Sequence, residues 1–377
     1  MSKVKKIAVF VTSTGWGGLE MNTIKLSSLL KSQGYSIVLF TQHQSTIADY
    51  REELFESVEF IQKRRKYFDF KTAKYVAASL KKHDINVVFA VDNQDLDILA
   101  WTKRLFHKTM KLIYQQHMQI GMNKKDYFHS FRFKAIDKWI SPLPFLKVEI
   151  GLRTHYPMNR VVVIPIGIDT KRFIENRYTK KESRELLRIQ TDLPLLGIIG
   201  RISKKKGQLF VVKSVLALKK QGFHVELLIF GSATINDEAD QRYSEKLRDF
   251  VINNNLSDVV QFVEYQEDVH KFYNAIDVFV LASHSETYGM VTIEAMLSGV
   301  PIVATNSGGT PEILSNGKLG HLYPFENEQK FCKELKLVLN EMERTRKMTS
   351  DAREFAAMIY DEKAEVEAID RVLTKFL

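Results

Sequence analysis

The chain has 377 residues, which is more than one ordinary hydrophobic core supports, so two domains are expected. Hydrophobic residues make up 45% and charged residues 27%, and Cys332 is the single cysteine; this excludes a disordered chain, a disulfide framework and a cysteine-based metal site. The net charge of +10 lies in the first half, because residues 1–170 hold 26 Lys and Arg against 15 Asp and Glu.

The first half alternates strands and helices. The apolar run 6–13 predicts a strand, a glycine-rich turn follows it, and residues 19–33 have the apolar spacing of a helix that ends at Gly34. A second strand at 35–42 completes a βαβ opening, which predicts a parallel sheet. Further strands are expected in the runs VEFIQ, NVVFAVD, KLIYQQH, KWISPL and RVVVIPIG.

The same pattern restarts after a polar, charged segment at 168–184, which we interpret as the join between two domains. Strands are predicted in LPLLGIIGRIS, VELLIFGSA, VVQFVEY, DVFVLAS and PIVAT, with helices between them and a last helical pattern at 364–377. Two successive βα arrays indicate two Rossmann-like domains.

The start of the chain, MSKVKKIAVFVTSTGWGG, is basic and then apolar. Its apolar run is short and lacks a small-residue cleavage site, so we interpret it as a first strand and not as a signal peptide. No run approaches the roughly 18 apolar residues of a membrane-spanning helix. We therefore expect a cytoplasmic protein.

Two turns that follow strands have residues suited to phosphate. Gly15, Gly17 and Gly18 let a ligand approach the backbone, but their spacing differs from the dinucleotide fingerprint G-x-G-x-x-G, and a plain glycine-rich loop remains an alternative. Arg201 and Lys206 place two cations after another strand, where Arg can fork onto phosphate oxygens and Lys adds a point charge. A solvated basic loop is the alternative there.

The stretch HSETYGMVTIEAMLSG, residues 284–299, has two carboxylates among apolar neighbours. On one continuous helix Glu286 and Glu294 would lie about 12 Å apart along the axis, which is too far for a glycosidase-type acid–base pair at roughly 5–9.5 Å. We interpret them as two carboxylates that bind opposite ends of one long ligand. The backbone N–H groups of the turn between them are expected to face that ligand; its residues are Thr287, Tyr288, Gly289 and Met290.

Together these motifs resemble the retaining GT-B glycosyltransferases of the glycogen-synthase-like, family four type. The resemblance covers nearly the whole chain, from GGLE in the N-terminal loop through VVVIPIGIDTKRF and GRISKKKG to SETYGMVTIEAMLSGVPIVATNSGGTPEI. It implies two Rossmann-like domains facing across a cleft, with a C-terminal helix packing back on the first. The domains would be 1–168, 169–357 and the returning helix 358–377.

The resemblance also implies roles for these residues. Glu286 would contact the hydroxyls of the donor sugar and Glu294 the ribose, while Arg201 and Lys206 would neutralise the diphosphate. Gly17 and Gly18 would let the N-terminal loop approach that diphosphate, and His117 matches a histidine placed near the donor sugar; a satisfied core histidine is its alternative. The implied reaction retains the anomeric configuration by a front-face route, with no enzymic nucleophile, no cofactor and no essential metal.

One motif could indicate a metal. Asp95 and Asp97 spell D-x-D, the metal–diphosphate motif of another glycosyltransferase fold, but they follow a strand and we expect them to begin a helix, where carboxylates suit the dipole.

The basic first half is expected to meet the acceptor. Residues 101–140 interleave Lys and Arg with aromatic residues, and KRRKYF at 63–68 adds another such patch; both suit an anionic membrane surface. The expected acceptor is a glycan, a lipopolysaccharide or a lipid-linked sugar, and the expected location is the inner face of the membrane. The alternative is that the aromatic residues are core and the lysines plain surface.

Rival functions are a nucleotide-sugar epimerase of the same fold, a phosphorylase, a donor-binding scaffold without activity and a nucleic-acid binder. A phosphorylase needs a pyridoxal-binding lysine and a longer chain, and no nucleic-acid recognition motif is present. The sequence identifies neither the sugar, nor the nucleotide base, nor the acceptor.

Overall fold

The computed structural model describes residues 5–62, 68–175, 177–235 and 237–377. The chain divides into two compact units. Unit 1 runs to Gly167 and resumes at Glu362, and unit 2 is the continuous segment Ile168–Asp361. The expected basic patch at 63–68 lies, except for Phe68, outside the described residues.

Unit 1 is built on a seven-stranded parallel sheet with the order β3-β2-β1-β4-β5-β6-β7. Its strands are rich in β-branched and aromatic residues and are buried on both faces, as parallel sheets require. They are β1 (Lys5–Phe10), β2 (Tyr35–Thr41), β3 (Ser57–Phe60), β4 (Val87–Ala90), β5 (Lys111–Gln115), β6 (Lys138–Ser141) and β7 (Val161–Val163).

Helices cover both faces of this sheet. The helices of residues 5–167 are α1 (Gly18–Ser32), α2 (Arg51–Leu54), α3 (Phe70–Lys82), α4 (Leu96–Trp101), α5 (Tyr127–Phe133) and α6 (Pro144–Arg153). The first helix stops where the sequence predicts, because Gly34 has a positive φ of 83° that a continuing helix does not allow.

Unit 2 repeats the architecture with six parallel strands in the order β10-β9-β8-β11-β12-β13. The strands are β8 (Leu195–Ile199), β9 (Glu226–Phe230), β10 (Val260–Val263), β11 (Val278–Leu281), β12 (Ile302–Thr305) and β13 (His321–Tyr323). Its helices are α7 (Thr170–Ile174), α8 (Lys180–Leu186), α9 (Gln208–Lys220), α10 (Glu238–Asn253), α11 (His270–Ala275), α12 (Met290–Leu297), α13 (Thr310–Ile313), α14 (Glu328–Asn340) and α15 (Met342–Ile359).

The segment 168–184 contains two helices of unit 2 where the sequence suggested a polar linker. Asp169 caps α7 by accepting a hydrogen bond from the backbone N–H of Arg172 at 3.3 Å. Thr179 and Glu182 form a capping box at the start of α8. Polar residues therefore begin helices here, since caps satisfy the N–H groups that a first helical turn leaves unpaired.

The last helix, α16 (Glu362–Leu373), belongs to unit 1. Its apolar face completes the core over one side of the first sheet, with Val366, Ile369, Val372 and Leu373 buried. Glu365 on this helix accepts hydrogen bonds from the backbone N–H of Gly167 at 2.9 Å and from Lys25 at 2.6 Å. The helix is thus fixed at the point where the chain leaves the first sheet.

These observations confirm the predicted fold class of two Rossmann-like parallel α/β domains. In each sheet the strand order reverses beside the first strand, between β1 and β4 and between β8 and β11. Ligands of such sheets bind at the carboxyl ends of the strands near this switch point. Within the described residues, no helix is both long and apolar enough to cross a bilayer.

Candidate functional site

The switch point of unit 2 is flanked by two turns. The turn after β8 holds residues 200–207 and the turn after β11 holds residues 282–289. They contact each other directly, because the backbone N–H of His284 donates to the carbonyl of Lys205 at 2.9 Å. Gly207 makes this approach feasible: a Cβ there would lie 2.2 Å from the carbonyl oxygen of Ala282.

Glu286 is the centre of the polar contacts at this edge. Its Oε1 accepts hydrogen bonds from Lys206 Nζ at 2.6 Å and from Ser283 Oγ at 2.7 Å. Only 15% of the Glu286 side chain and 29% of the Lys206 side chain are exposed, so the pair is shielded from water and its attraction is stronger than at an open surface. Two of the predicted site residues are therefore in direct contact.

The backbone of Glu286 is fixed as firmly as its side chain. Its carbonyl accepts from the backbone N–H of Gly309 at 2.8 Å, and it forms an isolated parallel bridge with Gly308. Gly308 has a φ of +60°, and a Cβ there would lie 2.1 Å from the Glu286 carbonyl oxygen. This is a second place where only glycine permits the contact.

The turn that follows Glu286 ends at Gly289, and α12 begins at Met290, so a helix N-terminus lies between the two glutamates. Gly289 has a φ of +79° and precedes the helix, and no side chain caps its N-terminus. Tyr288 is buried, and its ring meets that of Tyr360 edge-on at 6.2 Å. Thr287 and Met290 are partly exposed on either side of this tyrosine and glycine. An uncapped helix N-terminus favours negative charge through its free N–H groups and its dipole.

Glu294 lies within α12, one helical turn beyond this N-terminus. The hydroxyl of Tyr273 donates to its Oε2 at 2.8 Å and also lies 3.1 Å from the carbonyl of Val291. Burial raises the pKa of Glu294, and the Tyr273 hydrogen bond and the charge of Arg172 act in the opposite direction. One carboxylate oxygen is thus oriented by a buried tyrosine.

Arg201 takes a different direction from Lys206. Its Nε lies 3.5 Å from Asp240 Oδ2 on α10, and its side chain is 56% exposed. The structure therefore joins Lys206 with Glu286 but leaves Arg201 beside another carboxylate at the rim of the same turn.

The glycine-rich turn of unit 1 is open. Gly17 immediately precedes α1, and a Cβ on Gly18 would meet no atom within 4 Å. Glu20, in the first turn of the helix, is buried and accepts a hydrogen bond from the Ser13 hydroxyl. The one buried carboxylate of this turn is therefore engaged, while the backbone at Gly18 stays accessible.

The D-x-D motif serves the fold of the same turn. Asp95 is fully buried and accepts from the backbone N–H of Thr12 at 2.9 Å and from the Thr12 hydroxyl. Asp97 lies 3.7 Å from Arg132 in an ion pair. Among the described residues, no three His, Cys, Asp or Glu side chains are grouped to hold a metal ion. The need for no metal stays a prediction.

His117 follows β5 at the same edge of the first sheet. Burial, and next the charge of Lys25, lower its pKa to about 4, so the ring is neutral near pH 7. Within the described chain its Nε2 is buried and has no hydrogen-bond partner. A neutral imidazole with one unsatisfied nitrogen can accept or donate one hydrogen bond to a ligand.

Two residues of this site were not predicted from the sequence. Ser283 ends the run DVFVLAS, and a polar residue at the carboxyl end of a buried strand was an available signal. Tyr273 lies on the apolar face of a short helix, where nothing in the sequence distinguishes it from a core aromatic residue.

Two family models match this chain. Residues 179–355 match the family model described as glycosyl transferases group 1, and residues 16–172 match the model described as glycosyltransferase family 4. Together the two matches cover both units.

Curated relatives match over part of their length. A lipopolysaccharide core biosynthesis mannosyltransferase, LpsB of Rhizobium meliloti, is 32% identical over 155 residues, which are 41% of this chain and 43% of that protein. Spore coat protein SA of Bacillus subtilis is 27% identical over 191 residues, 48% of this chain and 50% of that protein. The chain thus spans about half the length of the curated relatives it matches.

Solved structures match over the whole chain. A glycosyltransferase from Rickettsia africae has a TM-score of 0.86 at 19% identity, covering 99% of this chain and 98% of that one. HepE of Anabaena in complex with UDP-glucose has a TM-score of 0.78 at 19% identity, covering 98% and 99%. At such identities the likeness concerns the fold alone.

Proposed function

We propose that this chain, which belongs to the GT-B glycosyltransferases of the family four, glycogen-synthase-like type, moves a sugar from a nucleotide-diphosphate sugar to an acceptor. The observation that carries the proposal is the shielded contact of Lys206 and Ser283 with Glu286 at the switch point of unit 2. It lies in the segment that carries both Glu286 and Glu294, beside the start of α12, which Gly289 leaves without a side-chain cap.

The groups around Glu286 suit departure of a nucleoside diphosphate. That departure places negative charge on phosphate oxygens, and preorganised N–H groups and cations lower its cost. Lys206 would supply the fixed cation, and Arg201, now beside Asp240, the mobile one. We propose retention at the anomeric carbon by a front-face route without enzymic nucleophile, cofactor or essential metal.

The other predicted residues would bind the rest of the donor. Glu286 would accept hydrogen bonds from the sugar and Glu294 from the ribose, with Tyr273 holding the second carboxylate in place. Gly17 and Gly18 would admit the diphosphate to the N-terminal turn. His117, neutral and unsatisfied at Nε2, would meet a sugar hydroxyl.

For the acceptor we propose a glycan or a lipid-linked sugar of the bacterial cell surface. The relative in lipopolysaccharide core synthesis supports this class, as does the surplus of 26 Lys and Arg over 15 Asp and Glu in residues 1–170. The same surplus favours a peripheral position on the inner, anionic face of the cytoplasmic membrane. Failure of the protein to sediment with anionic vesicles at moderate salt would exclude that position.

The donor is tested by thermal shift against a panel of nucleoside diphosphates and nucleotide sugars, since a ligand of the native state raises its melting temperature. A stabilising sugar nucleotide is then used in turnover assays. Glu286→Gln is expected to lower turnover by about a hundredfold or more while the melting temperature without ligand changes little. Glu238→Gln, an exposed acid on α10, is the matched control; equal turnover in both variants would refute the role of Glu286.

Two other functions predict different products. A nucleotide-sugar epimerase releases nucleotide and an altered sugar with no acceptor present, and a donor-binding scaffold is stabilised by the nucleotide sugar but never consumes it. Analysis of the products with and without membrane-extracted glycolipid therefore separates all three.

A further inference from the structure

Four exposed aromatic side chains lie together on unit 1, and we call them the aromatic patch. Phe68, Phe70, Tyr127 and Phe128 are 53%, 43%, 79% and 53% exposed. The ring centroid of Phe68 lies 6.3 Å from that of Phe70 and 6.0 Å from that of Phe128, and Tyr127 lies 6.0 Å from Phe128. Single exposed apolar residues are ordinary, whereas a contiguous group marks an interaction surface.

The aromatic patch has a rigid base. The ring of Trp101, at the end of α4, lies 4.8 Å from Phe70, 6.0 Å from Phe68 and 4.4 Å from Phe131. The guanidinium of Arg104 lies 4.4 Å above the Phe131 ring and donates to its carbonyl at 3.1 Å. The exposed rings are thus supported by an inner aromatic layer.

Two helix starts present these rings. Asp69 caps α3 by accepting from the backbone N–H of Thr72 at 3.0 Å, and Asp126 caps α5 by accepting from His129 at 3.1 Å. The aromatic residues directly adjoin these caps. Both acidic residues nearest to the patch therefore serve the helix ends, and α5 follows the same strand that leads to His117.

Lysines outnumber acidic residues around the aromatic patch, where the two adjoining carboxylates are engaged as helix caps. Helix α3 has four lysines and no acidic residue, and Lys71 and Lys74 are exposed beside Phe70. Lys125, also exposed, lies just before α5. Exposed aromatic rings bordered by lysines are the composition of helices that lie in a membrane interface, where rings reach the acyl boundary and cations meet anionic headgroups.

We propose that the aromatic patch inserts into the interface of an anionic bilayer while Lys71, Lys74 and Lys125 lie against the headgroups. The inference deepens the proposed membrane association and rests on it, but it does not depend on sugar transfer. It adds that binding has an apolar component, which salt does not screen, besides the electrostatic one. It also places the bilayer at the edge of the first sheet that carries His117.

A protein partner fits these observations less well. The cores of protein–protein interfaces are depleted of lysine, and here lysines border every helix start that carries the rings. Self-association through the patch is nevertheless measured in the experiment below, because it would overturn the proposal.

The test uses the full chain and vesicles of phosphatidylcholine with or without phosphatidylglycerol. Phe68→Ser combined with Phe128→Ser is expected to weaken partition into anionic vesicles about tenfold or more, at low and at moderate salt alike. Lys71→Gln combined with Lys74→Gln should weaken it only at low salt. Ile235→Ser, which removes an 88% exposed apolar residue of unit 2, and Lys220→Gln with Lys246→Gln are the matched controls.

Insertion is read out separately by Phe128→Trp, whose emission should shift to the blue and be quenched by nitroxide-labelled lipids, unlike that of Ile235→Trp. Unchanged partition of the Phe68/Phe128 variant into anionic vesicles would overturn the proposal. So would a wild-type protein that is dimeric without lipid together with a Phe68/Phe128 variant that is monomeric. Stabilisation by nucleotide sugars, which we assign to residues outside the aromatic patch, should survive in every variant. Its absence from the wild type would count against the proposed transfer alone.

Discussion

Both sheets carry glycine-containing turns at the carboxyl ends of their strands, but the polar groups of the two edges have different hydrogen-bond partners. In unit 2, Glu286 is held by Lys206 and Ser283, and its carbonyl is held by the Gly309 N–H group. In unit 1, Gly18 faces open space and the Nε2 of His117, within the described chain, has no partner. The carboxylate of unit 2 is held by its neighbours, whereas the imidazole of unit 1 keeps, among the described residues, an unpaired ring nitrogen.

The difference shows what each edge is suited to do. Charged groups that are fixed beforehand stabilise a leaving diphosphate more effectively than mobile ones, because reorganising a group adds to the barrier. A turn that must admit a ligand needs space and a neutral hydrogen-bonding group instead. Four substitutions test this contrast, from the largest expected effect to the smallest.

Gly308→Ala should disrupt the backbone contact that holds Glu286 in unit 2. The new Cβ would lie 2.1 Å from the Glu286 carbonyl oxygen at a φ of +60°. We expect a loss of more than about 3 kcal/mol in the free energy of unfolding, measured with urea. Gly222→Ala is the control: its φ is +73° but nothing lies within 4 Å, so only about 1 kcal/mol should be lost. Equal losses of unfolding free energy in the two variants would show that the neighbours of Gly308 can make room for a methyl group.

The pH dependence of stability should reveal the neutral histidine of the open edge. The pKa of His117 is about 4 in the folded chain and near 6.5 when unfolded. As pH falls from 6.5 toward 4 the unfolded chain binds a proton that the folded chain largely does not, so the free energy of unfolding falls by about 2.6 kcal/mol. His117→Gln should remove this slope. An NMR titration of the His117 ring with its midpoint above pH 6 would contradict the expectation.

Tyr273→Phe should weaken the proposed contact of Glu294 with the ribose and leave the contacts of Glu286 unchanged. Loss of the hydroxyl removes a 2.8 Å hydrogen bond to Glu294, worth about 1 kcal/mol, so the Kd for a stabilising nucleoside diphosphate should rise about fivefold. The pKa of Glu294 should rise further, and binding should fail at a higher pH on acidification. Tyr323→Phe, which loses a buried hydroxyl contact 3.1 Å from the Leu281 carbonyl, is the control. A 2′,3′-dideoxy nucleotide should bind both variants alike.

Gly18→Ala should separate stability from ligand access at the open edge. Because no atom lies within 4 Å of the new Cβ and alanine favours helices, the free energy of unfolding should stay equal or rise by up to about 1 kcal/mol. The KM for the donor should rise nevertheless if the diphosphate approaches this backbone. An unchanged KM would place the diphosphate elsewhere.

Much of the fold follows from local patterns in the sequence. Buried apolar strands, helices closed by residues such as Gly34, and the restart after residue 190 suffice to predict two parallel α/β arrays. The helices in 168–184 were missed because their polar residues are caps, which resemble a linker in composition. Local patterns also do not show which sheet a final helix packs on.

Residues of the candidate site could be predicted where a charged side chain directly follows a predicted strand. Glu286 and Lys206 follow neighbouring strands of the second sheet, and topology alone brings such residues together. The direction of Arg201 toward Asp240 and the contact of Tyr273 with Glu294 depend on side-chain packing between elements that are separated in the sequence. The engagement of Asp95 with Thr12, 83 residues away, is of the same kind.

The position of α16 has a consequence for synthesis. Unit 2 is one continuous segment and can fold once Asp361 has left the ribosome. Unit 1 emerges first but lacks Val366, Ile369 and Leu373 of its core, and the Glu365 carboxylate for Lys25, until α16 is made. Its unfinished sheet face therefore stays exposed until α16 has been synthesised, and a nascent chain stalled before residue 362 should need chaperone protection.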